Sequence, residues 1–207
     1  LAEELGVIVP IGEWVLIESC KQAAEWQKQL RAPLRLAVNV SAKQFGGVGM
    51  MGVVQTALER SGLSAAQLEL EITERVVLDE SSANSNQLHK LNDMGVRLSV
   101  DDFGTGYSAL SYLKRFPFDV LKIDRSFVRD ITRDRDNAAL AKAIIAMAHG
   151  LDMEVIAEGV ESVAQRDFLC DQNCDMMQGF YFSRPLPPDD FLRYLIDSAA
   201  ADTDAPA

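Results

Sequence analysis

The spacing of apolar residues changes along this chain, and the change repeats. Short runs rich in Val, Ile and Leu occur at "LRLAVNV" (34–40), "LELEIT" (68–73), "RLSVDDF" (97–103), "DVLKIDR" (119–125), "MEVIAEGV" (153–160) and "MMQGFYFS" (176–183). Their length and composition predict strands. Between them, apolar residues recur every three or four positions, which predicts helices near 12–30, 48–61, 80–94, 108–115, 134–150, 161–171 and 188–198. Entry signals precede two of these, the acidic and Ser-rich "DESSAN" (79–84) and "PLPPDD" (185–190).

Strand and helix alternating six times predicts an α/β fold with a parallel sheet and crossover helices. An open doubly wound sheet and a closed barrel both satisfy that pattern. An eight-unit barrel takes about 250 residues, and this chain has 207. It opens on "LAEELG" (1–6), which reads as the end of a helix capped by Gly6. A TIM-like (β/α) barrel, incomplete and lacking its first one or two strands, is the economical reading. Residues 1–198 form its domain, and the small polar stretch 199–207 is expected to be a flexible tail.

The ends of the strands carry the chemistry. In order they offer Asn39, then Glu71 with Glu74, Asp101 with Asp102, Lys122 with Asp124, Glu158, and Gln178. In parallel α/β folds the C-terminal edge of the sheet is where sites are built. A single Asp or Glu after a strand is commonly a helix cap or turn residue. Six strands that all end this way are harder to explain so. Adjacent carboxylates such as Asp101 and Asp102 repel each other and lose hydration unless something positive receives them.

Composition narrows what that partner is. The chain is 48% hydrophobic and 25% charged, ordinary for a globular domain, with a net charge of −11 and a pI of about 4.6. That balance disfavours a broad grip on duplex nucleic acid or on an anionic membrane. If the protein handles phosphate, metal ions must supply the positive charge. Asn, Asp and Glu oxygens suit hard divalent cations such as Mg²⁺ or Mn²⁺. Two such ions about 4 Å apart are an arrangement for phosphoester hydrolysis. Lys122, inside an apolar strand, then serves as a point charge or proton relay near the phosphate.

Other candidates are weaker. Gly104 and Gly106 in "DFGTGY" (102–107) fit a movable loop or a plain turn, and the P-loop pattern is absent. His89 and His149 fall in predicted helices, away from the strand ends. Met147, Met153, Met176 and Met177 fit core filling. Cys20, Cys170 and Cys174 lack a metal-site spacing, and the latter pair reads as two buried thiols. No signal peptide and no apolar run of about 18 residues occurs, so a cytoplasmic location is expected.

Taken together, "VNVSAKQF" (38–45), "LELEITE" (68–74), "VDDFGTGYSAL" (100–110), "LKIDRSFVRDI" (121–131), "IAEGVES" (156–162) and "CDMMQGFYFSRPL" (174–186) resemble the EAL family of cyclic di-GMP phosphodiesterases. The resemblance implies a modified TIM barrel that uses Mg²⁺ or Mn²⁺, at a two-metal site, to open cyclic di-GMP to linear pGpG. It implies metal ligation by Asn39, Glu71 and Asp101 and, through the second metal, by Asp102 and Asp124. It implies that Glu74 steadies the DDFGTG loop and that Lys122 and Glu158 orient or activate the attacking water, with the base unassigned between them. Gln178 is implied as a water- or metal-site partner, and Glu161 completes the E-G-V-E pattern in a substrate- or water-positioning role.

The Glu-Ala-Leu signature that names the family does not occur in this chain. The expectation is an N-terminal truncation, an open sheet edge, and weak or no activity of the 207-residue chain beside an active parent. Family resemblance also implies a homodimer and a parent with upstream sensory or GGDEF-type modules, through which it can be tethered to a membrane. Two other readings stay open: a non-catalytic cyclic di-GMP binding module, and an interaction scaffold that binds no nucleotide.

Overall fold

The computed structural model describes residues 1–46, 49–74, 76, 82–104 and 110–203. The described elements are α1 (Ile8–Leu30), β1 (Leu36–Val40), α2 (Ala42–Phe45), α3 (Met50–Ser61), a 3₁₀ turn (Ala65–Gln67), β2 (Leu68–Thr73), α4 (Ser82–Asp93), β3 (Arg97–Phe103), α5 (Leu110–Arg115), β4 (Val120–Ile123), α6 (Arg125–Arg129), α7 (Arg135–His149), β5 (Glu154–Glu158), α8 (Val163–Asp171), β6 (Met176–Gln178) and α9 (Pro188–Thr203).

All six strands are parallel and pair in chain order, β1-β2-β3-β4-β5-β6. Helical crossovers leave each strand on the same side and return beside it, which is the wrapping of a barrel rather than of a sheet wound in two directions. Cross-sheet contacts show the curl. Arg35, just before β1, donates to Glu154 Oε2 at the start of β5 (2.7 Å), and Arg97 of β3 donates to the same oxygen (2.8 Å). Strands first and fifth in order therefore meet across the barrel base. The fold is an incomplete TIM-like barrel.

The core lies between this sheet and the outer helices. Leu68, Leu70 and Ile72 of β2, Leu98 and Val100 of β3, and Leu121 and Ile123 of β4 are all fully buried against apolar helix faces. The opposite strand faces carry Glu69, Glu71, Ser99, Asp101 and Lys122, and these are buried too. On the outside, α1 packs on α3, and Trp26 meets the ring of Phe191 at 4.9 Å to hold α9.

Boundaries differ from the sequence expectation where chemistry interrupts the period. β4, β5 and β6 are shorter than the apolar runs, because Asp124 ends β4 by capping α6, accepting from Ser126 N–H (2.9 Å), and Gly159, at φ +71°, turns the chain after β5. The short helices α2 and α6 lie below the length at which a helical period is readable. α1 begins four residues earlier than expected, after a turn in which Leu5 N–H donates to Leu1 O and Gly6 sits at φ +74°. The last helix continues past residue 198 to Thr203 through a run of alanines, good helix formers. Residues 204–207, the first half of "DESSAN" (79–81) and Gly106 lie outside the described residues.

Met153 is buried, and Met147 and Met177 pack against the core. His149 pairs with Asp175 (2.9 Å). Cys20 and Cys174 are buried and their thiols pushed up to about 11 by burial. Cys170 is exposed, contrary to the expectation that both it and Cys174 are buried, because it falls on the solvent side of α8.

Candidate active site

β3 carries the departure from regular pairing that builds the site. Val100 pairs with Leu121 and Phe103 with Ile123, so Asp101 and Asp102 both stand opposite Lys122 alone. That is a β-bulge: an extra residue that re-aims side chains and bends the strand. Asp102 takes up the surplus at φ +56°, a left-handed conformation that costs about 1 kcal/mol for a non-glycine residue. In a regular strand neighbouring side chains point to opposite faces; here the bulge brings both aspartates to the mouth.

Lys122 is the hub. Its Nζ lies 2.7 Å from Glu71 Oε1, 2.7 Å from Glu158 Oε1 and 3.2 Å from Asp101 Oδ1, and the residue is 2% exposed. One ammonium thus serves carboxylates from β2, β3 and β5. One oxygen each from Asp101, Asp102 and Glu158 lie within 4.8 Å of one another. Asp124 stands close enough to Asp102 for their charges to interact.

The electrostatics follow from three carboxylates sharing one cation. Burial alone would lower the Lys122 pKa, but Glu71 and Glu158 more than offset it and hold the ammonium above its ordinary value. Glu71 and Glu158 are raised by burial, opposed by Lys122. Asp102 is raised by burial and by the charges of Asp101 and Asp124. Asp124, although burial pushes it up, ends below the usual range through its Ser126 and backbone hydrogen bonds and the Arg125 charge.

Glu74, buried just past β2, accepts from Gly104 N–H (3.3 Å) across 30 residues, tying the loop after β3 to the neighbouring strand end. A side chain at Gly104, which has φ +97°, would place its Cβ 2.8 Å from the Phe127 ring.

Asn39 and Gln178 sit at the sheet's two edges, in register with Glu71 and Glu158 respectively. Both are exposed, and among the described residues neither side chain is hydrogen-bonded to the acidic cluster. Glu161 is set apart: it lines a cavity of about 500 Å³ with Asp124, Arg125, Ser126, Arg129 and Gly159.

Sequence reasoning missed the supports of this rim. Gln165 is buried; its Oε1 accepts from the N–H groups of Glu161 (2.8 Å) and Ser162 (2.9 Å), while its Nε2 donates to Val128 O and Arg129 O. The Ser162-x-x-Gln165 spacing of a capping box was the available signal. Gly159 was missed also: a Cβ there would lie 2.6 Å from Arg125 Cβ.

The donor set suits a hard divalent cation. Glu71, Asp101, Asp102, Asp124 and Glu158 bring five carboxylates to one mouth around Lys122, leaving excess negative charge, and every carboxylate offers oxygen. The C-terminal mouth of a parallel half-barrel is a place where such a donor set could hold a divalent ion.

The EAL domain family model matches residues 1–185, and the chain belongs to the EAL domain family. It is 44% identical to signaling protein YkoW of Bacillus subtilis, over 95% of this chain and 24% of that protein. It is 45% identical to the bifunctional diguanylate cyclase/cyclic di-GMP phosphodiesterase MucR of Pseudomonas aeruginosa, over 93% of this chain and 28% of that protein. The chain thus spans about a quarter of the length of these curated relatives. Among solved structures, the PaMucR phosphodiesterase in its c-di-GMP complex superposes with a TM-score of 0.88 and 45% identity, covering 92% of this chain and 77% of that one. The EAL domain of Mycobacterium smegmatis DcpA does so with a TM-score of 0.84 and 35% identity, covering 90% and 84%.

Proposed function

We propose that this chain contributes the catalytic machinery of a cyclic di-GMP phosphodiesterase, hydrolysing the cyclic dinucleotide to linear pGpG in bacterial signalling. The observation that carries the reading is Lys122, buried and held charged by Glu71, Asp101 and Glu158 beside Asp102. Relatives named as cyclic di-GMP phosphodiesterases, and a solved relative in complex with c-di-GMP, support it.

In this reading Asn39, Glu71, Asp101, Asp102 and Asp124 would hold two Mg²⁺ or Mn²⁺ ions. When bound, they supply a nucleophile of lowered pKa and charge stabilisation at the phosphate. The protein's own groups do the rest. Lys122 stays protonated, so it serves as a fixed positive charge beside the phosphate and as an orienting donor. Glu158, whose pKa is raised by burial, is the better proton acceptor of the pair. Glu74 holds the loop through Gly104 N–H. Gln178, at the edge beside Glu158, positions water, and Glu161 meets the substrate away from the reacting phosphate.

Among the described residues no helix is long and apolar enough to cross a membrane. We read the protein as the cytoplasmic catalytic part, residues 1–198, of a longer signalling protein with upstream sensory or GGDEF-type modules, acting as a homodimer. The length of the curated relatives and the exposed apolar start of α1, where Trp14 is 65% exposed, support that reading.

Chromatographic assay of pGpG release with Mg²⁺ or Mn²⁺ tests the function. The full-length protein is expected to turn over, and Asp101→Asn to lose roughly 10²–10³-fold in kcat, the several kcal/mol that a metal-held carboxylate is worth. Tight binding with no turnover by the wild type under any metal would instead identify a receptor module.

A further inference from the structure

Three of the candidate metal ligands come from places where regular strand pairing stops. Asp101 and Asp102 sit in the bulge of β3, where the ladder to β4 is interrupted between Val100 and Phe103. Asp124 lies just past the end of β4, as the cap of α6. A helix of five residues has too few hydrogen bonds of its own to fix its direction, so α6 takes its orientation from what it touches. Yet Asp102 and Asp124 stand close enough for their charges to interact. Like charges separate unless the backbone that carries them is held.

The contact that spans the two segments is Phe127 against Gly104. Phe127 is the third residue of α6, and its N–H donates to Asp124 O (3.1 Å), so the ring and the cap belong to one turn. The ring lies so near Gly104 that a Cβ there would stand 2.8 Å from Phe127 Cε2 and 3.0 Å from Cζ. Gly104 follows Asp102 by two residues, and its N–H is held by Glu74 Oε2 (3.3 Å). The end of β3 is therefore fixed by a carboxylate that follows β2 and by a ring on α6. Core filling alone does not account for this ring. Val128 anchors α6 in the core with no exposed surface, while Phe127 is only partly buried and reaches the strand end.

Resting on the reading of Asp101, Asp102 and Asp124 as metal ligands, we propose that Phe127 is a positioning residue of the metal site. Its flat ring is a spacer that sets how far the Asp124 turn stands from the Asp102 bulge, acting through the aspartates. Mg²⁺ accepts oxygen ligands only within a narrow range of distance and angle, so a shift of about 0.5 Å between the two arms is enough to lose ligation. Gly104 is the other half of the device, because a residue without a side chain lets the ring come this near.

Titration calorimetry of the full-length protein with MnCl₂, at a temperature where circular dichroism shows every variant folded, tests this. Phe127→Ala is expected to weaken Mn²⁺ binding at least about tenfold, the range seen for groups that orient metal ligands, and Phe127→Leu, which refills part of the volume, at least about threefold. Turnover of cyclic di-GMP should follow through the metal: half-maximal Mn²⁺ rises in both variants, while most of kcat returns at saturating Mn²⁺. A ring that merely fills the core would lower the melting temperature and leave Mn²⁺ affinity within about threefold of wild type in both variants. That result overturns the spacer role while the hydrolysis reading stands. A wild type that binds no Mn²⁺ overturns the metal-site reading and the spacer with it. Where Phe127→Ala fails to fold, Phe127→Leu decides by the same criterion.

Discussion

Replacing Lys122 by Met removes the ammonium at the centre of the site while keeping an unbranched side chain of similar length. Glu71, Asp101 and Glu158, now within reach of each other without a cation, can escape mutual repulsion by taking up protons. At pH 7, protonating one carboxylate of ordinary pKa near 4.3 costs about 3.7 kcal/mol, at 1.36 kcal/mol per unit. That agrees with the roughly 3–5 kcal/mol lost when one partner of a buried pair is removed. For a chain of this size each kcal/mol shifts the melting temperature by about 2–4 °C, so the variant should melt about 6–20 °C below wild type. The same arithmetic sets its pH dependence. At pH 5 the protonation cost falls to about 1 kcal/mol, so roughly 2.7 kcal/mol of the deficit per protonated carboxylate should return. Thermal unfolding of both proteins at the two pH values, with chelator and then with millimolar Mg²⁺, checks this. Metal should also narrow the gap at pH 7. A deficit of equal size at both pH values would mean that Lys122 stabilises by packing alone, and the electrostatic account of the site would fail.

Two further substitutions probe the scaffold. Gly104→Ala places a Cβ against Phe127 on a backbone at φ +97° and should destabilise by about 1–3 kcal/mol in denaturant unfolding; an unchanged midpoint would show that the loop shifts freely. Glu69 is fully buried at the barrel base, its Oε2 3.9 Å from both Arg35 and Arg97, and burial raises its pKa against the pull of neighbouring Ser99 and of the two arginines. Because the folded state then holds this proton more tightly than the unfolded chain, wild-type stability should fall as pH rises from the ordinary carboxylate range through the raised value. Glu69→Gln removes that slope, and stability curves for the two proteins that run parallel from acid to neutral pH would contradict it.

Much of the fold was legible because period is local information. The alternation in "LELEIT" and the continuous apolar run of "DVLKI" mark strands without reference to anything else in the chain, and six such runs separated by helical spacing leave few topologies. The acidic character of the strand ends was equally visible, and so was the expectation that it needs positive charge. The short helix α6 was not legible, nor was the role of Asp124 as its cap, since five residues carry too little period to separate a helix from a strand end.

What the sequence determined by itself, then, was which residues would arrive at the mouth. How they meet was decided by tertiary structure. The alternation in "LELEIT" puts Glu69 and Glu71 on one face, and only the curl of six strands around them makes that face interior. The adjacency of Asp101 and Asp102 could be read, but not the bulge that turns both toward Lys122, which depends on how β3 registers with β4. The turn that carries Glu161 is held against α6 by Gln165, which bonds across 36 and 37 residues. Register and curvature are properties of pairs of segments far apart in the chain, so no local pattern encodes them; each is settled when burial of the apolar faces forces the strands side by side.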